Sequence, residues 1–102
     1  MKAGAGTKED LVNLFGSTSR ARILIFLFAH IGQSFYQREI MFETGFSLQA
    51  IQRELINLVD LGIVQNVPTP NRIYYRVNSA SPYFKPLREI CHVAPRGNKS
   101  EA

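Results

Sequence analysis

Up to Leu61 the apolar residues recur every three or four positions, and after Gly62 the period shortens. The first pattern predicts helices and the second strands, because a helix turns once in about 3.6 residues while a strand alternates its faces. Leu11, Val12, Leu14 and Phe15 lie on one side of a short helix over 8–15, with Gly16 as its stop. Ser17, Thr18 and Ser19 offer capping oxygens to a second helix over 20–31. Its stripe of Ile23, Leu24, Leu27, Phe28 and Ile31 is widened by Ile25 and Phe26, which predicts a central helix covered on several sides. Gly32 ends it.

Ser34, Phe35 and Tyr36 support two readings, a capping box completed by Gln37 or a brief strand ahead of a helix. The next helix runs from Gln37 to Glu43 and is closed by Thr44 and Gly45. Ser47 then caps a strongly periodic helix over 47–61 in which Leu48, Ile51, Leu55, Leu58 and Val59 share a face. Only three or four residues, a glycine among them, separate these two helices, which is the length and chemistry of a helix-turn-helix corner. Two runs rich in β-branched and aromatic residues follow, 63–67 and 72–77. Pro68–Asn71 between them makes the pair a hairpin with a proline-bearing tip. In the second run Ile73, Tyr75 and Val77 face one way and Arg72, Tyr74 and Arg76 the other. A closing helix begins at Pro82, gathers Phe84, Leu87, Ile90 and Cys91 on one face, and is expected to stop at Pro95.

The predicted order is helix, helix, short strand, helix, turn, helix, hairpin, helix. That order is a winged helix-turn-helix: an α+β, mainly helical fold with a three-helix core, a β-hairpin wing and flanking N- and C-terminal helices. The expected layout is a loose N-terminus over 1–7, one domain over 8–94 and a loose tail over 95–102. No internal repeat is present.

On this frame the chain resembles the ArsR-like branch of bacterial and archaeal transcriptional regulators. The residues carrying the resemblance are Leu14-Phe15-Gly16-Ser17, Arg20-Ala21-Arg22-Ile23-Leu24, Tyr36-Gln37-Arg38-Glu39-Ile40 and Glu43-Thr44-Gly45-Phe46-Ser47. Gln52-Arg53-Glu54-Leu55, Leu61-Gly62-Ile63 and Tyr74-Tyr75-Arg76 complete it, so that it spans roughly residues 10–92. The resemblance implies a dimeric repressor-type protein with helix 47–61 in the major groove and hairpin 63–77 as wing. Two positions depart from the usual corner, where Met41 replaces a small residue and Phe42 a polar one. Either the helices pack further apart here, or Phe42 is exposed and meets another chain.

The residue types point the same way. With Leu48, Ile51, Leu55 and Leu58 inward, Gln49, Ala50, Gln52, Arg53 and Asn57 face outward near the start of the helix. Arg suits guanine, Gln suits adenine, and an Ala methyl packs on thymine, and the N-terminal half of such a helix is the part that enters the groove. Ser47 and the free backbone N–H groups beside it suit a phosphate. Asn71 and Arg72 at the hairpin tip, with Tyr74 and Arg76 behind them, extend the candidate surface, as do Gln37 and Arg38. Each has a plainer alternative: Arg53 as a solvated partner of Glu54, Arg76 as support for Tyr74, Arg20 and Arg22 as surface charges.

Composition narrows the choice only modestly. Twelve Lys and Arg against eight Asp and Glu give a net charge of +4, but Arg38, Arg53, Arg72 and Arg76 are balanced by Glu39, Glu43, Glu54 and Asp60. The excess lies outside 34–78, so few ion contacts and weak non-specific affinity are expected. One cysteine excludes an internal disulfide, and Cys91-His92 point about 100° apart on a helix, so no metal site and no cofactor are expected. The longest apolar run is too short for a membrane span and the N-terminus has no secretory pattern, which implies a cytoplasmic protein. No paired carboxylates, no nucleophile beside a histidine and no phosphate loop point to an enzyme. A homodimer is expected through Leu11, Leu14, Phe15, Phe84, Leu87 and Ile90, the alternative being that they pack within one chain. The rival function is a protein-docking winged helix, including one partnered by a separately encoded nucleotidyltransferase-like protein. A third is an RNA-binding winged helix with bases stacked on Tyr74.

Overall fold

The computed structural model describes residues 15–99, with side chains as far as His92. The helix expected over 8–15 lies almost wholly outside the described residues, and so do Leu11 and Leu14. Within them stand four helices and one three-stranded antiparallel sheet, an α+β fold. In chain order they are α1 (Thr18–Ala29), β1 (Phe35–Tyr36), α2 (Gln37–Thr44), α3 (Leu48–Asp60), β2 (Val64–Pro68), β3 (Ile73–Val77) and α4 (Phe84–Lys99). None of the helices is long and apolar enough, among the described residues, to cross a membrane.

Local chemistry sets the boundaries. The Ser17 hydroxyl accepts from the Arg20 amide at 3.2 Å, so α1 begins earlier than its apolar stripe suggests. It also ends earlier: His30 leaves helical geometry, and Ile31, expected on the buried stripe, is exposed. Of the two readings of 34–36 the strand is the one that forms, as β1, and α2 is capped by Glu39, whose Oε1 accepts from the Tyr36 amide at 3.0 Å, not by a box of Ser34 and Gln37. Gly45 takes a left-handed φ of 81° and returns its amide to Met41 O at 2.8 Å, a turn that costs glycine little. Ser47 caps α3 by accepting from the Ala50 amide at 3.2 Å. At the far end of α3 the amides of Gly62 and Ile63 return to Val59 O and Leu58 O, closing a Schellman motif.

The sheet runs in the order β1-β3-β2, which makes β3 the central strand. Phe35 pairs with Tyr75 and Tyr36 with Tyr74 on one side, while Val64 pairs with Val77 and Pro68 with Ile73 on the other. Pro68 is tolerated because β2 is an edge strand and needs no inward donor there. Tyr75 and Val77 are buried as their alternation requires, whereas Ile73 runs beyond the core and is exposed. Asn78 ties the hairpin back to the exit of α3, its amide donating to Ile63 O and its side-chain amide to Gly62 O, both at 2.9 Å.

One apolar cluster joins all layers: Ile23, Leu24 and Leu27 of α1, Ile40 of α2, Ile51, Leu55 and Leu58 of α3, Val64, Tyr75 and Val77 of the sheet, and Leu87 and Cys91 of α4. Leu87 is buried in that core, Phe84 packs against it, and Phe15 and Ile90 lie against Ala21. These four residues, expected at a subunit interface, are thus partly covered within one chain. Helix α4 also runs past Pro95 to Lys99, where the sequence pattern placed a stop and a loose tail. Met41 packs against the core while Phe42, one position on in the same helix, is 77% exposed.

One buried charge interrupts this core. Glu54 on α3 is 4% exposed, and its Oε1 accepts from Arg20 Nε of α1 at 2.8 Å. A buried carboxylate that loses its hydrogen-bonded cation keeps its desolvation cost, and Arg53, 3.9 Å from Oε2, offsets only part of it. Arg20→Ala is therefore expected to destabilise the protein by about 1–2 kcal/mol after allowance for the partial exposure of the pair, and Arg53→Ala by less than about 0.5 kcal/mol. Urea unfolding of both variants checks this, and equal costs would contradict it. A second expectation concerns Cys91, whose thiol burial pushes up from 9.0 to about 12. The folded protein favours the neutral thiol, so this group costs nothing below the unfolded pKa and removes stability as pH rises from about 9 towards 12. At pH 8, alkylation of Cys91 is expected to be far slower than that of a free thiol and to become fast on adding denaturant.

Candidate functional site

The outward face of α3 follows from its inward one. Ile51, Leu55 and Leu58 are buried, so Gln49, Gln52, Arg53, Ile56, Asn57 and Asp60 form a solvent-exposed stripe at helical spacing. Of the predicted residues on this helix, Gln49, Gln52, Arg53 and Asn57 lie on that stripe, while Ala50 is half-buried beside it. Ser47 stands at the N-terminus as the cap, its hydroxyl already engaged by the Ala50 amide. The stripe is polar at its start, carries the exposed Ile56 in the middle and ends in Asp60. An anion would therefore approach the N-terminal half, where Arg53 and the helix dipole attract it, and be repelled near Asp60.

Three elements meet beside this stripe. Gln52 Nε2 donates to Gln37 Oε1 at 3.2 Å, and Gln37 Nε2 donates to the Tyr75 hydroxyl at 3.3 Å. The chain of bonds links the exposed face of α3 through the start of α2 to the central strand. Gln37 is thereby half-buried and oriented by its neighbours, whereas Arg38 next to it is exposed.

At the hairpin the arrangement differs from a free basic tip. The Arg72 guanidinium lies 3.9 Å from the ring centroid of Tyr36, and Tyr74 meets the same ring edge-on at 5.7 Å. Register explains this, since Tyr36 and Tyr74 are paired across β1 and β3 and Arg72 is two residues from Tyr74. Such a cation–π contact contributes about 0.5–1 kcal/mol at an exposed site. It occupies the flat face of the guanidinium and leaves the in-plane N–H donors for a ligand. The tip itself is held by Thr69, whose hydroxyl donates to Arg72 O at 2.6 Å and accepts from the Arg72 amide at 3.2 Å. Asn71 is exposed on it. Arg76, at the other end of β3, donates from Nε to Gln65 Oε1 at 3.2 Å across the β2–β3 pair. It is thus drawn into the hairpin's own surface, away from Arg72.

Between hairpin and α2 lies an open cleft of about 430 Å³ lined by Tyr36, Gln37, Arg38, Arg72, Ile73 and Tyr75. Two arginines flank it and two tyrosines form part of its wall, a composition suited to an anionic group with a flat or apolar neighbour. Tyr36 is absent from the contact residues expected from sequence, because its place in the cleft depends on pairing with a strand about forty residues away. Glu54 was missed for a different reason. It falls three positions after Ile51 and four before Leu58, so the period already placed it inward, but a carboxylate is not expected there without a partner. Arg20, read as a surface charge, is that partner. Among the described residues no group of three His, Cys, Asp or Glu side chains is placed to hold a metal ion. No known protein family, curated protein or solved structure matches the chain.

Proposed function

We propose that this chain is a winged helix-turn-helix protein that reads double-stranded DNA as a dimeric, non-catalytic regulator. The observation that carries the proposal is the exposed stripe of Gln49, Gln52, Arg53 and Asn57 at the start of a capped helix, braced through Gln37 to the sheet. In this reading α3 enters the major groove, which is wide enough to admit one helix. Arg53 addresses guanine, Gln49 and Gln52 address adenine, and the methyl groups of Ala50 and Ile56 pack on thymine. The hairpin β2–β3 serves as wing, with Arg72 on Tyr36 and Arg38 across the cleft directed at the phosphate backbone. Ser47 and the first amides of α3 add a phosphate contact.

Charge supports this reading better than the sequence balance suggests. Of the four acids that offset the arginines over 34–78, Glu54 is buried and taken up by Arg20. The exposed start of α3 is therefore more basic than its composition. A second reading, docking to another protein, draws on the exposure of Phe42.

Selection from a random pool of duplex DNA at two salt concentrations tests the proposal. One enriched sequence is expected, with two half-sites about one helical turn apart. Arg53→Ala is expected to cost about 1–3 kcal/mol at a single base position and to relax the preference there, while Arg38→Ala weakens all sequences alike and lowers the salt dependence. Enrichment of no duplex at either salt would remove the DNA reading and leave docking through Phe42 as the next subject.

A further inference from the structure

Arg20 and Arg53 both approach one carboxylate, that of Glu54. Arg20 Nε lies 2.8 Å from Glu54 Oε1, and Arg53 Nε lies 3.9 Å from Oε2 of the same group. The first is a short charge-assisted hydrogen bond, and the second is too long for one. The exposures differ in the same order, 32% for the Arg20 side chain and 64% for that of Arg53. Glu54 thus spends its bond on an arginine from α1, while its neighbour in sequence stays largely in solvent.

We propose that Arg20 is a positioning residue for recognition: by holding Glu54 from α1 it keeps the donors of Arg53 free to read a base. The inference rests on the DNA-reading proposal above and adds a residue outside the helix that reads. A buried carboxylate requires compensation by a cation. Only one unit of positive charge is needed, and Arg20 supplies it at hydrogen-bond distance. Without Arg20, the cation nearest Glu54 is Arg53, which precedes it by one residue on the same helix and has only to close from 3.9 Å. That movement commits to Glu54 the N–H groups that a bidentate contact with guanine requires. Arg20 therefore acts on base choice without touching the DNA, through a carboxylate that both arginines can claim.

The test is a double-mutant cycle on the selected duplex with Arg20→Gln, Glu54→Gln and the double variant, each assayed where circular dichroism shows it fully folded. Arg20→Gln is expected to bind about tenfold more weakly with reduced base preference, Glu54→Gln to bind like the wild type, and the double variant to recover to within about twofold. A readout in the free protein accompanies it. In Arg20→Gln the Arg53 Hε resonance moves downfield and exchanges slowly, as a new bond to Glu54 demands. A loss that persists in the double variant would overturn the proposal, since Arg20 would then touch the DNA itself. Unchanged binding and an unchanged Arg53 resonance in Arg20→Gln would overturn it too, and would leave Arg20 a merely structural residue. In both of these cases the wild type still selects its duplex, so the DNA reading survives. If the wild type selects no duplex, both readings fail together.

Discussion

The seam between α1 and α3 brings Ile23, Leu24 and Leu27 together with Ile51, Leu55 and Leu58, all essentially out of reach of water. Two helices that bury one face each against the same cluster have their rotation set by that burial. For α3 this decides the rest: with the apolar stripe inward, the opposite stripe of Gln49, Gln52, Arg53 and Asn57 has to face solvent. The apolar packing of the interior and the polar presentation of the surface are two consequences of one periodic sequence.

A single charged residue breaks the rule that the stripe inside is apolar. Glu54 stands at an inward position and is stabilised chiefly by Arg20, which α1 places against it at 2.8 Å. Pairs of this kind add little net stability compared with an apolar pair of the same volume, and their retention calls for another reason. Here the pair ties α1 to the inward side of α3, one residue from the exposed Arg53.

The sheet does for the hairpin what α1 does for α3. Pairing of β1 with β3 sets Tyr36 opposite Tyr74, and the guanidinium of Arg72 settles on the Tyr36 ring. A long flexible side chain at a loop tip loses conformational freedom on binding any ligand, and stacking removes part of that loss beforehand. The bonds from Gln52 through Gln37 to Tyr75 connect this region to α3, so that helix and hairpin present a common surface.

The sequence by itself determined the four described helices, the hairpin and several of their boundaries, because these depend on local signals: serine oxygens before α1 and Leu48, glycines at 45 and 62, and the change of period after Gly62. It also determined which face of α3 is polar, since a helix of known period has only one way to hide Ile51, Leu55 and Leu58. The passage of α4 through Pro95 ran against the local signal, and its length is set by more than the residue at that position. Side-chain partners across the fold were decided by tertiary structure alone. Arg20 meets Glu54 over 34 residues and Gln37 meets Tyr75 over 38, and no periodicity encodes which distant side chain will arrive. Those encounters depend on how helices and strands dock, and docking is a property of the assembled core.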